Sequence, residues 1–397
     1  MTRPNRLLPR LLFAQFAGTS PWFAGNAIID DLQRAWALPP EAIGYVTAAV
    51  NFGFIFGTLV FALLTISDRY PPVRVFFACA LACAVANLML LFAAQTLSGL
   101  LVCRFATGFF LAGLYPVGMK IAASWYREDL GRVMGYLIGA LVLGTAFPHL
   151  LRAFDPGLPW QAVIVGISLF AGAGGLVVLL GVGDGPELQG VTKLDLGATR
   201  LVFASADFRA SASGYFGHMW ELYSLWTFAP LLILAFAAER SIAINISAAS
   251  FLFIAAGTIG CGIGGLLSMR RGSARVAAFQ LAVSAACCLL APMMLQAPTS
   301  VFLLFMLIWG ITVVGDSPQF STLNAKHAPA QLVGSALTIV NCIGFSLTII
   351  SIQLCNWLLP LVSIEYLFWL LLPGPLLGLW AMRPLLRNDD AARSGKP

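Results

Sequence analysis

Ionisable side chains fall inside otherwise apolar stretches, chief among them Arg104, Lys120, His218, Glu221 and Asp316. A charge at membrane depth costs about 2.5–3.5 kcal/mol on insertion scales and as a rule faces a cavity or a partner. Arg104 offers a permanent charge and a fixed fork of donors, which suits an anionic group; the alternative is an arginine tied to backbone carbonyls. Glu221, in a cavity away from bulk water, is the candidate proton carrier. His218, one turn earlier, could share that proton or bond a solute. The alternative for both is a fixed polar patch that locks their helix. Asp316 is a second acidic candidate, or else one arm of a salt bridge between the two halves of the chain. Lys120 lies far round its helix from Arg104 and reads as structural, and His149 as an interfacial histidine.

Spacing groups the polar residues. Gln15, Thr19, Trp22 and Asn26 follow one another at four, three and four, the repeat of one helical face. Arg104, Gly108 and Tyr115 share a face by the same rule. So do Gly214, His218, Glu221 and Leu225, with Tyr223 and Trp226 beside them, and so do Thr312, Asp316 and Gln319. Trp22, Tyr115, Tyr223 and Trp226 could line a cage, or simply pack.

Several other chemistries are excluded. All eight cysteines fall in apolar runs, none at metal-ligand spacing, and read as small apolar fillers. No phosphate-cradling Walker motif is present. The net charge of +6 is dispersed over short loops and does not form a nucleic-acid-binding patch. The longest polar connection, about 183–206, is too short for a separate catalytic domain. No enzyme activity, cofactor or metal is expected.

These residues are carried by membrane helices. Of the 397 residues, 59% are hydrophobic and 10% charged, and the mean hydropathy is +0.87. A span needs about 20 apolar residues. Such windows fall at 8–30, 42–65, 73–95, 98–122, 131–152 and 160–182, then at 211–237, 246–268, 274–296, 299–323, 331–358 and 363–383. The runs are too long, and too free of two-residue alternation, for barrel strands. The first run follows Arg3, Arg6 and Arg10 but holds Gln15 and Asn26, and reads as an uncleaved helix. With twelve spans and the N-terminus inside, eighteen of the 23 Lys and Arg lie on the inner side, as the positive-inside rule requires. Both termini are therefore expected in the cytoplasm.

The chain also repeats itself. Ser67-Asp68-Arg69-Tyr70-Pro71-Pro72-Val73-Arg74-Val75 returns in degraded form as Ser268-Met269-Arg270-Arg271-Gly272-Ser273-Ala274-Arg275-Val276. Gly108, Gly113 and Pro116 correspond to Gly310, Gly315 and Pro318. A repeat of half the length, between apolar runs, implies two similar halves.

Asp68-Arg69 with Arg74, between the second and third spans, resembles the signature loop of the major facilitator superfamily, and Arg104 with Gly108 resembles its second signature. Pro71 stands where that loop has glycine, and Val73 where a basic residue is usual. The stretch Tyr115-Pro116-Val117-Gly118-Met119-Lys120 to Trp125 resembles nitrate/nitrite- and cyanate-permease-like branches. The arginines with which nitrate porters hold their anion are absent from 42–65 and 246–268.

The resemblance implies an all-α polytopic protein with 12 transmembrane helices in two pseudo-symmetric six-helix bundles. The bundles are 1–183 and 207–397, with a cytoplasmic linker at 184–206. Spans one, four, seven and ten line the cavity in that family, and these are the four with polar faces.

The expectation is a monomeric secondary transporter of the inner membrane that works by alternating access. It moves a small anionic solute with protons as coupling ion. Substrate binding falls to Gln15, Trp22, Asn26, Arg104, Tyr115, His218, Tyr223 and Trp226, and proton coupling to Glu221, Asp316 and His218. Asp68, Arg69 and Arg74 form the gate, with Asp68 latched to nearby arginines and to the start of the eleventh span. The alternatives are proton-driven efflux of amphipathic or toxic compounds and, more remotely, a non-transporting receptor on the same scaffold.

Overall fold

A computed structural model describes residues 6–92, 95–126, 129–155, 157–186 and 199–394, with no side chain described at 330 or beyond 387. The expected linker therefore lies partly outside the described residues, as do Arg127 and Lys193. The described residues are helical, without strands, and eleven helical stretches are long and apolar enough to cross a membrane. Two compact units emerge, one formed by Met1–Lys193 with Asn245–Ala255, the other by Leu194–Ile244 with Ala256–Pro397.

The chain begins with α1 (Leu7–Thr19), α2 (Ala24–Ala27), α3 (Ile29–Trp36), α4 (Ala42–Leu63), α5 (Ile66–Arg69) and α6 (Pro72–Leu88). It continues through α7 (Leu97–Leu111), α8 (Tyr115–Trp125), α9 (Leu130–Phe154) and α10 (Trp160–Gly181). After the linker come α11 (Thr199–Val202), α12 (Ala206–Glu239), α13 (Ile246–Arg271), α14 (Ser273–Met294) and α15 (Thr299–Gly315). The last elements are α16 (Ser317–His327), α17 (Val333–Leu358), α18 (Ile364–Leu367) and α19 (Pro373–Ser394).

The expected first span, 8–30, is not one helix. It stops at Thr19 and resumes at Ala24, because Pro21 has no N–H to donate and its ring blocks the preceding carbonyl. Gln15, Thr19, Trp22 and Asn26 consequently do not hold one face. Gln15 sits against Gly118 on α8, and the Thr19 hydroxyl lies 3.4 Å from the Leu141 carbonyl on α9. Trp22 Nε1 instead donates to Asn51 Oδ1 at 3.1 Å, and Asn26 Nδ2 to Thr47 at 2.7 Å, both on α4.

Two further breaks fall at matching places in the repeat. The fourth span divides at Ala112–Leu114, between α7 and α8, and the tenth at Asp316, between α15 and α16. Gly113 precedes Pro116 by three residues, and Gly315 precedes Pro318 by three. Each proline lies in the first turn of the second segment, where a missing N–H is tolerated.

Glycine sets the tightest helix contact of the first unit. A Cβ on Gly53 would lie 2.0 Å from the Phe105 carbonyl oxygen, and one on Gly108 would lie 1.9 Å from that of Val50. Helices α4 and α7 therefore meet backbone to backbone. Gly108 thus packs the fourth span on the second, and Gly144 meets α1 through Phe16 and Thr19.

Candidate functional site

The buried polar residues form a separate cluster in each unit. In the first unit Arg104 is fully buried on α7. Its Nη2 donates to the Pro21 carbonyl at 2.6 Å and the Trp22 carbonyl at 2.7 Å, and its Nη1 donates to Asn87 Oδ1 at 3.1 Å. Asn87 Nδ2 in turn donates to Ser168 Oγ at 3.0 Å. The break in the first span frees carbonyl oxygens, and the guanidinium fork is shaped to take two of them. No carboxylate pairs with Arg104 among the described residues, and its Nε has no hydrogen-bond partner. It is a buried permanent cation held only by neutral oxygens.

The other expected ligands of this unit surround that break. Trp22 lies 4.9 Å from Phe54 with the two rings tilted by 42°, and Phe54 lies 6.5 Å from Tyr115. Asn26 Oδ1, Asn51 Nδ2 and both amide atoms of Gln15 are buried without hydrogen-bond partners among the described residues. His149, read as interfacial from the sequence, is buried at 4% exposure because α9 is largely enclosed within its unit.

In the second unit, Glu221 on α12 is 1% exposed. One oxygen, Oε1, accepts from Ser284 Oγ on α14, from Cys288 Sγ at 3.2 Å and from Trp309 Nε1 on α15 at 3.1 Å. His218, one turn earlier, turns to a different partner. Its Nδ1 lies 2.8 Å from Asp316 Oδ1, with both side chains 1% exposed, and its Nε2 has no partner. Asp316 occupies the break between α15 and α16, which sets its carboxylate beside α12. The sequence alternative of a salt bridge between halves is replaced by a pair inside one unit. Tyr223 stands 5.4 Å from Trp226 and 5.2 Å from Phe345, all three rings being buried, so these aromatics pack and line no open cage.

The signature loop is closed by a residue the sequence reading set aside. Lys120 Nζ, on α8, donates to Asp68 Oδ1 and, at 2.6 Å, to the Ser67 carbonyl. Arg69 ends α5 and Arg74 lies in the first turn of α6, on either side of the turn at Tyr70. Beside them, Asp184 accepts from the Val73 backbone N–H at 3.0 Å, where the exposed donors of a helix start favour a carboxylate.

Sequence reasoning missed Asn87, Ser284, Cys288, Trp309 and Asp184. The polar census followed spans one, four, seven and ten, whereas Asn87 and Ser284 lie on the third and ninth. Ser284 and Cys288, four apart in an apolar run, were the available signal.

The sequence profile of the Major Facilitator Superfamily matches residues 11–352. The chain belongs to this superfamily. No curated protein matches the sequence significantly. Solved structures share the fold at low identity. The nucleoside transporter NupG aligns with TM-score 0.72 and 12% identity over 95% of this chain and 99% of its own. A bacterial homolog of the human lysosomal transporter Spinster, inward-facing and unoccupied, gives 0.69 and 14% over 98% and 99%. The human organic anion transporter MFSD10 (TETRAN) gives 0.70 and 14% over 96% and 100%. The chain is therefore a multi-pass membrane transporter and not an enzyme.

Proposed function

We propose that this transporter couples the movement of a small anionic solute to protons, as a monomer in the inner membrane with both termini in the cytoplasm. One observation carries the reading. Among the described residues, the first unit buries the permanent cation of Arg104 without a carboxylate partner, and the second buries Asp316 against His218 and Glu221 against the Ser284, Cys288 and Trp309 donors, with no lysine or arginine paired to either acid. A charge kept from water without a counter-ion is unfavourable unless it is matched for part of the time. An arriving anion matches the cation, and protons match the acids.

Within this scheme Asp316 orients His218 through Nδ1, leaving Nε2 free to take up or release a proton. Glu221 holds a second proton among the Ser284, Cys288 and Trp309 donors. An anion at Arg104 would compete with the Pro21 and Trp22 carbonyls, so binding would act directly on the break in the first span. Of the other expected ligands in the first unit, Gln15 and Asn26 lie on the helices either side of this break, and Tyr115 is linked to it through the Phe54 and Trp22 rings. The organic anions named for MFSD10 are one class of solute to screen.

The test is transport in proteoliposomes, with solutes chosen by thermal stabilisation of the purified protein. Glu221→Gln should abolish accumulation driven by a proton gradient while leaving solute exchange in place. Gln retains an acceptor oxygen for all three donors, so the fold should survive. Undiminished accumulation by this variant would remove Glu221 from coupling, and stabilisation by cations alone would reject the anionic solute.

A further inference from the structure

A groove of about 590 Å³ runs between α13, α14 and α15 in the second unit, with no part in the polar clusters described above. Along α13 it is lined by Gly260, Ile263, Gly264, Leu267 and Arg271, a stripe at helical spacing. At about 1.5 Å per residue, Gly260 to Arg271 covers roughly 16 Å, about half of a hydrocarbon core of about 30 Å. The groove thus has the depth of one leaflet. It exists because Gly260 brings α13 against α15, where a Cβ would lie 1.9 Å from the Ile311 carbonyl. That contact leaves a furrow on the outward side, walled by Ile263, Leu267 and Phe279, all exposed.

Chemistry changes along this furrow. At the membrane edge, where α13 ends and α14 begins, stand Arg271, exposed, and Arg275, half-buried. Five residues deeper, Gln280 also lines the groove. It is 7% exposed, and its Oε1 has no hydrogen-bond partner among the described residues. Lipid tails alone would favour neither the arginine pair nor a buried amide. Positive charge at headgroup depth, a side-chain amide about 7.5 Å below it with an N–H to offer an ester carbonyl, and apolar walls beside and beneath that amide match one occupant: phosphate, glycerol ester, acyl chain.

We infer that this groove is a binding site for a single anionic phospholipid from the leaflet that meets the α13–α14 turn. Arg271 and Arg275 hold the phosphate, the Gln280 Nε2 amide donates to an ester carbonyl of the glycerol backbone, and an acyl chain lies along Ile263, Leu267 and Phe279. Lipid charge would thereby act on α13, α14 and α15 together, and α14 and α15 are the helices that hold Glu221.

Native mass spectrometry of the full chain, equilibrated with equal amounts of phosphatidylglycerol and phosphatidylcholine, tests the inference. Wild type should retain the anionic lipid selectively, and R271Q/R275Q should lose about fivefold of that preference per arginine. Ile263→Trp keeps both charges but fills the furrow at an exposed position, so it should release the lipid while circular dichroism stays unchanged. Glycerol 3-phosphate, which has the phosphate without the chains, should neither compete nor stabilise. Equal lipid preference in wild type and R271Q/R275Q overturns the site. Full retention by Ile263→Trp, or competition by glycerol 3-phosphate, overturns the lipid as its occupant.

Discussion

Arg104 holds two carbonyls and an amide at once, which only a planar fork can do. Arg104→Lys keeps the charge and loses that geometry. Hydrogen bonds from charged donors are worth about 1.5–3 kcal/mol, so the variant should lose about 2 kcal/mol of stability, read as a lower melting temperature in detergent. Asn87→Ala should lose less, because the carbonyl contacts remain. The charged residues themselves were legible in the sequence, since an ionisable side chain in an apolar run stands out. Their partners were not. Asn87, Ser284 and Trp309 are ordinary residues until helix packing sets them against Arg104 and Glu221, and spacing along one helix says nothing about which neighbour it meets. The two readings of Arg104 also prove compatible, since a group tied to backbone carbonyls keeps its full charge.

At the scale of elements, the breaks decide where the chemistry lies. The Gly113/Pro116 and Gly315/Pro318 pairs were visible as a repeat, and each marks an interruption in its span. The break at Pro21 is hidden within the 8–30 window, because the apolar run continues through it and hydropathy does not register a lost hydrogen bond. Close packing was legible as glycine content but not as partner. Gly108→Ala places a methyl group where the Val50 carbonyl sits and should cost about 3 kcal/mol or more. Gly131→Ala meets nothing within 4 Å and should be neutral, or gain up to about 1 kcal/mol from helix propensity. Parallel thermal unfolding of the two variants checks the pair. Equal losses would mean that α4 and α7 tolerate separation.

For the whole molecule, the family and its helical architecture were legible because length, hydropathy, signature loop and repeat all agree. Which residue closes that loop was not, because Lys120 lies 52 positions from Asp68 and was judged by its place on its own helix. If the pair holds one conformational state, Asp68→Asn and Lys120→Met should slow transport alike while leaving solute affinity nearly unchanged. Initial rates and equilibrium binding, measured on the same preparations, distinguish this from a role in the binding site, where affinity would fall.

The residues just after α10 bear on the same motion. Trp125 Nε1 donates to the Gly183 carbonyl at 3.1 Å, Gly185 N–H donates to Ser124 Oγ at 3.2 Å, and Asp184 receives the Val73 N–H. Residues 183–185, where the connection between the two units begins, are thus fastened to the first unit. Spare residues spliced in after Pro186 leave these three fastenings in place and should cost little stability. The same residues spliced in before Gly183 should undo all three fastenings and leave the helix start at α6 bare.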